Sequence, residues 1–118
     1  MKSIILIALF LISAFANKTF SQNKKVVKTS FWVSGNCEMC KANIEGALDQ
    51  KGVRSAIWDE KTKMVDIVYD STRVKSAQIQ QWISNKGYET ETTAANDSAY
   101  EALPGCCKYE RKLSVPKK

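Results

Sequence analysis

The sequence predicts an α+β domain made of two successive β-α-β units, and three observations predict it. Strand, helix and strand patterns follow one another twice between residues 26 and 93. Each helical stretch runs into a glycine, Gly52 and Gly87, at the place where helices commonly stop. A polar segment, "DEKTK", joins the halves as a hairpin turn. Right-handed crossovers fold such a chain into a four-stranded antiparallel sheet with both helices on one face.

The first element lies ahead of this unit. Residues 1–21, "MKSIILIALFLISAFANKTFS", set Lys2 before an apolar run ending in the small residues Ala14 and Ala16. The run is about a dozen residues, short of the roughly 20 that span a bilayer, and predicts a secretory signal cleaved after Ala16 or Ser21. The expected mature protein is exported, periplasmic in a Gram-negative bacterium, with no stable membrane insertion once the signal is gone. Cleavage removes Lys2 and Lys18, so 16 basic and 12 acidic groups leave a net charge of +4. The lysines are scattered apart from the "KYERKLSVPKK" end, which does not make a nucleic-acid footprint.

Within residues 26–93, "VVKTSFWV" is β-branched and aromatic and predicts the first strand. Cys40, Ile44, Ala47 and Leu48 recur at helical spacing and mark the first helix. "VRSAIW" and the alternating "MVDIVY" predict the hairpin strands. Ile79, Trp82 and Ile83 form the stripe of the second helix, with Ser76 as its expected N-cap, and "YETETT" predicts the fourth strand. This βαββαβ order is the ferredoxin-like arrangement. It turns Phe31, Val33, Val53, Ala56, Trp58, Val65, Ile67 and Tyr69 inward. Trp32, Ile57, Met64 and Val68 fall on the helix-free face.

Residues 94–118 form a C-terminal tail with too few apolar residues for a core of its own. Asn96 or Asp97 can cap a short helix reaching Leu103, and Pro104-Gly105 stops it. The tail is expected either to fold over the open sheet face, with Tyr100 and Leu103 against Trp32 or Ile57, or to be disordered.

Histidine is absent, which removes the usual general base and every imidazole ligand. The four cysteines fall in two pairs, Cys37/Cys40 in "SGNCEMCKANIEGAL" and Cys106/Cys107 in "LPGCCKYE". Thiolate is the soft ligand that suits Cu(I), Hg(II), Zn(II) and Cd(II). Cys40 falls in the first helical turn and Cys37 just ahead of it, where free N–H groups and the positive helix end favour the anion. Two thiolates suffice for Cu(I) and leave room for an incoming sulfur, whereas Zn(II) wants about four ligands.

A strand, Gly-x-Cys-x-x-Cys, a helix, "GV" into a hairpin, "VDIVYD" and a helix ending "NKGYE" together resemble the heavy-metal-associated domain. That family includes bacterial copper chaperones, extensions of metal-pumping ATPases and the periplasmic mercury-binding protein. The resemblance implies that Cys37 and Cys40 hold the metal and places Tyr88 in the neighbouring loop, beside the metal or as a core residue, while Asn36, where the sequence departs from the family's pattern, stands in the turn as a residue expected beside the site. Copper-handling members carry a buried methionine two residues before the first cysteine; "GNCEMC" is one residue shorter there and lacks it. Met39, between the cysteines, points to solvent or a partner or serves as a thioether ligand, and Lys41 is either a solvated side chain or an offset to a bis-thiolate's charge.

The second pair has several outlets. From Thr93 to Cys106 there are 13 steps. A short helix plus extended residues covers roughly 28 Å, against a return path on the order of 20 Å. Cys106 and Cys107 can therefore join the first site as additional ligands, giving three or four sulfurs for a tighter Cu(I) centre, a small Cu(I)–thiolate cluster or Zn(II)/Cd(II); they can also form a separate soft-metal clamp or redox handle, or enter a structural disulfide.

The expected function is binding of a soft metal ion, Cu(I) first, by a chaperone, buffer or scavenger working through ligand exchange. No bond-making reaction is implied, so the chain does not read as an enzyme. The expected partner is a metal-transporting ATPase or another metal-binding protein, with the carrier a monomer or a metal-bridged dimer. A thiol–disulfide oxidoreductase using the Cys37–Cys40 dithiol is the alternative.

Overall fold

A computed structural model describes residues 25–113. The expected signal, 1–21, and the end of the basic tail lie outside them. The chain forms β1 (Val26–Trp32), α1 (Glu38–Ala47), β2 (Val53–Trp58), β3 (Met64–Asp70), α2 (Ser76–Asn85) and α3 (Asp97–Glu101), then a 3₁₀ turn at Gly105–Cys107. The sheet order is β1-β3-β2, antiparallel throughout, with Phe31 opposite Val65 and Trp58 opposite the same Val65 from the other side.

The alternation in each strand does what its period demands. Phe31, Trp58, Val65, Ile67 and Tyr69 point to one face and are buried with Ile44, Leu48, Ile79 and Ile83 of the helical layer. Ile57 points the other way and is 59% exposed. Both helices therefore cover one face of the sheet, as the ferredoxin-like reading requires.

The fourth strand is shorter than "YETETT" suggests. It survives as one bridge, Val33 to Thr90, supported by Ser34 N–H donating to the Glu89 carbonyl at 2.9 Å. The chain turns at once: Thr90 N–H donates to the Thr93 carbonyl, and the Thr90 hydroxyl accepts from Thr93 N–H at 3.1 Å. The Trp32 N–H that a longer strand would have taken goes to the Glu91 carboxylate at 2.9 Å. A threonine-rich segment supplied its own side-chain acceptors and closed a turn instead of a ladder.

The second helix starts one residue earlier than its sequence signal. Lys75 is its N-cap, in extended geometry and without a side-chain bond, and Ser76 is the first helical residue. Asn96 does cap α3, accepting from Ala99 N–H at 2.9 Å.

The tail takes a different route from the one expected. It does not cover Ile57. Tyr109 and Cys107 enter the main core beside Tyr88, and Tyr100 and Leu103 pack against its edge. Gly87 makes this possible: its φ is +96°, and a Cβ there would stand 2.8 Å from the Ala99 carbonyl carbon. Tyr109 donates its hydroxyl to the Gly87 carbonyl at 2.6 Å and stacks on Tyr88 with centroids 5.9 Å apart. Over Trp32 lies Lys112 of the tail, its Nζ 4.5 Å from the ring. The rings at 88, 100 and 109 pack on one another, Tyr100 meeting Tyr109 edge-on with centroids 5.0 Å apart.

A cluster of thiols at the head of the first helix

The site is built where β1 ends and α1 begins. Cys37 is the N-cap of α1, with φ −148° and ψ 178°, and its carbonyl accepts the first helical bond from Lys41 at 3.1 Å. Cys40, one turn on, points inward and is fully buried. Its sulfur accepts the Asn36 N–H at 3.4 Å. The two sulfurs lie 3.7 Å apart.

Trp58 props this loop from below. Its indole N–H donates to the Val33 carbonyl at 3.1 Å, and its ring lies so close that a Cβ on Gly35 would meet it at 2.8 Å. The space under the loop is thus filled by an aromatic ring from β2, and Gly35 is the residue that lets the backbone descend onto it. Lys41 does not reach the thiols. Its ammonium binds Glu45 at 2.6 Å and the Trp58 carbonyl at 2.8 Å, tying α1 to β2.

The tail brings the second pair to the same place, and it separates the two cysteines. Cys107 is fully buried with its sulfur 4.0 Å from that of Cys37. Cys37, Cys40 and Cys107 have all three sulfurs within 4.8 Å of one another. Cys106 is exposed, its sulfur 3.8 Å from Met39 Sδ and 4.0 Å from Cys107 Sγ. All four cysteines are free thiols.

These sulfurs are electrostatically unequal. The Cys40 backbone N–H, at the open end of α1, holds the Cys37 thiol below its ordinary range, and the Cys40 side chain and Met39 N–H add to this. Burial pushes Cys107 up to about 12, with the neighbouring Cys40 sulfur acting in the same sense. Tyr88, also fully buried, stands at the floor of the cluster, where its hydroxyl accepts from Asn43 Nδ2 at 3.0 Å and faces Cys40 and Cys107. Burial holds that phenol neutral far above the usual range.

The sequence singled out Asn36 and Tyr88, and both are here: Asn36 through its backbone N–H, Tyr88 through its hydroxyl. It did not single out Glu89. This residue is fully buried and accepts from Lys112 N–H at 2.7 Å, Leu113 N–H at 3.1 Å and the Ser34 hydroxyl at 3.2 Å. It clamps the tail beyond Cys107 to the end of β1. Arg111 adds a second tie, to Asp97 at 2.8 Å. An acidic residue among threonines carries no burial signal in sequence, and neither does Asn43 on the polar side of α1.

The sequence model of the heavy-metal-associated domain matches residues 30–89, just over half of the 118. The chain belongs to the heavy-metal-associated family. Among solved structures it is similar to the CopZ metallochaperone, at 30% identity and TM-score 0.52, over 54% of this chain and 98% of that one. It is similar also to a copper-binding domain of the P-type ATPase HMA7, at 32% identity and TM-score 0.52, over 57% of this chain and 93% of that one. The water-soluble region of the P-type ATPase CopA from Bacillus subtilis is 33% identical with TM-score 0.53, over 55% of this chain and 44% of that one. None of the curated protein sequences matches this chain. The family match ends at Glu89, so Cys106 and Cys107 lie beyond it. Among the described residues no helix is long and apolar enough to cross a membrane.

Proposed function

We propose that this heavy-metal-associated protein is an exported carrier of soft metal ions, Cu(I) first, holding its cargo on Cys37, Cys40 and Cys107. The observation that carries the reading is the spacing of three sulfurs. A metal–thiolate bond of about 2.3 Å sets three coplanar sulfurs about 4.0 Å apart, and two collinear ones about 4.6 Å apart. The separations of 3.7 Å and 4.0 Å from Cys37 suit the three-sulfur arrangement. Hg(II) or Cd(II) would fit the same donors, and Zn(II) would need a fourth ligand.

Release follows from the way the third sulfur is held. Cys37 and Cys40 sit on one helix end, while Cys107 is delivered by a tail fastened through Glu89 and Tyr109. An incoming thiolate from a partner takes the Cys107 position, the ion passes through shared three-sulfur intermediates, and no covalent bond of a substrate is made or broken. Asn36 N–H donates to the Cys40 sulfur at 3.4 Å, and the Tyr88 hydroxyl offers a hydrogen bond to the sulfurs above it. The partner on this reading is a metal-transporting ATPase or another metal-binding protein. With Cys107 in place one chain completes its own site; with the tail displaced, a metal-bridged dimer becomes available.

Three sulfurs hold the ion more firmly than two, which favours buffering or scavenging with release on demand over rapid shuttling. The test is competition of reduced protein against a Cu(I) chelator, beside a Cys37→Ser/Cys40→Ser variant. A large loss of Cu(I) affinity in the variant is the expected result. Retention of the parent affinity would overturn the reading, and Cys37-dependent reduction of insulin disulfides would replace it with an oxidoreductase.

A further inference from the structure

Beyond the three-sulfur cluster, two further sulfurs stand in line with it. We propose that Cys106, Met39 and Cys107 form a second soft-metal site, so that the protein carries two monovalent ions with the Cys107 sulfur bridging them. This rests on the first site being a metal site, and extends it outward.

Met39 lies between the two loop cysteines and is 48% exposed, although it is a large apolar side chain. Its thioether is 3.8 Å from the Cys106 sulfur, and the Cys106 sulfur is 4.0 Å from that of Cys107. Each step matches the span of two sulfurs sharing one ion at about 2.3 Å. The sulfurs thus form an unbroken chain from Cys40, fully buried, through Cys37, Cys107 and Cys106 to Met39 at the surface. The Cys37 sulfur is also 3.5 Å from the Cys106 carbonyl, which locks the adjacent-cysteine turn over the loop.

Charge favours a second ion. Three thiolates around one Cu(I) carry a net −2, and a second Cu(I) arriving with the Cys106 thiolate leaves that total unchanged. The thioether adds a soft donor with no charge. A bridging thiolate shares its negative charge between two cations, which eases the burial of the Cys107 anion. The outer ion is the one an approaching partner meets first.

The experiment is Cu(I) titration of the full chain in its reduced state, with stoichiometry read by chelator competition and X-ray absorption on the loaded protein. The parent should bind about two equivalents and display a copper–copper vector, Cys106→Ser should bind about one without that vector, and Met39→Leu should weaken only the second step. A parent that stops at one equivalent, or a Cys106→Ser variant that still binds two, overturns the second site while leaving the inner one standing. A parent that binds none overturns both. The folded state of each variant is verified by the near-ultraviolet signal of the Tyr88–Tyr100–Tyr109 cluster.

Discussion

The sulfur of Cys107 lies 4.0 Å from the sulfur of Cys37, 70 residues earlier in the chain. A loop of that length is closed by anchors just beyond Cys107: Tyr109 on Gly87, Glu89 on the Lys112 and Leu113 amides, and Arg111 on Asp97. The third thiol is thus held by the tail's own packing, before any ion arrives.

Glu89 is the anchor most easily removed. Its carboxylate takes two backbone N–H groups and a hydroxyl in a fully buried position, and hydrogen bonds to charged groups contribute about 1.5–3 kcal/mol each. Glu89→Ala should free the tail, raising amide exchange at Lys112 and Leu113 and lowering Cu(I) affinity, while Cys37 and Cys40 still bind. Unchanged exchange at those two amides would show that the clamp is dispensable.

Thiol reactivity in the metal-free protein should follow the environments. Cys37, held low by the α1 amides and partly exposed, should react first with iodoacetamide as pH is raised from acid. Cys107, buried and pushed up to about 12, should react last. Mass mapping of partially labelled protein measures the order, and early labelling of Cys107 would mean that the tail is open.

Tyrosine ionisation sets the alkaline limit. Burial raises Tyr88 and Tyr109 above the ordinary phenol value, so between that value and the folded-state value the native protein holds protons that the unfolded chain has released. Stability is then fully present below about pH 10 and falls as pH rises through the window above it. Thermal melts from pH 8 to 12 should fall steeply past that point, and Tyr109→Phe should flatten the fall while lowering the plateau, since the Gly87 bond is lost.

Two glycines should respond with opposite signs to alanine. Gly87 has φ +96° and would place a Cβ 2.8 Å from backbone atoms of Ala99, so Gly87→Ala should cost about 1–3 kcal/mol and detach α3. Gly46 lies inside α1 with open space where its Cβ would go, and Gly46→Ala should gain about 0.5–1 kcal/mol. Denaturant melts of the two variants make the comparison.

The order of elements was readable because period-2 strands, 3.6-period helices and stop glycines all act locally. Lys75 in place of Ser76 as a cap is a shift of one residue, the usual scale of uncertainty where no side chain fixes the boundary. The shortened fourth strand was less accessible: Thr90 competes as an acceptor for Thr92 and Thr93, and Glu91 substitutes its carboxylate for a strand carbonyl. Such side-chain competition does not alter the β-propensity of "YETETT". At the site, the Cys37–Cys40 spacing and the reach of the tail were both visible in the chain. The division of labour within the second pair was not, because it depends on the 3₁₀ turn that sends Cys107 inward and Cys106 out. Nor was the tail's destination, which was decided by three tyrosines meeting around Gly87.

The most direct test of the account is the coordination number of the first ion. X-ray absorption of reduced protein loaded with a substoichiometric amount of Cu(I) should give about three sulfur ligands in the parent and about two in Cys107→Ser. About two sulfurs in both, at equal bond length, would contradict a site shared between the loop and the tail.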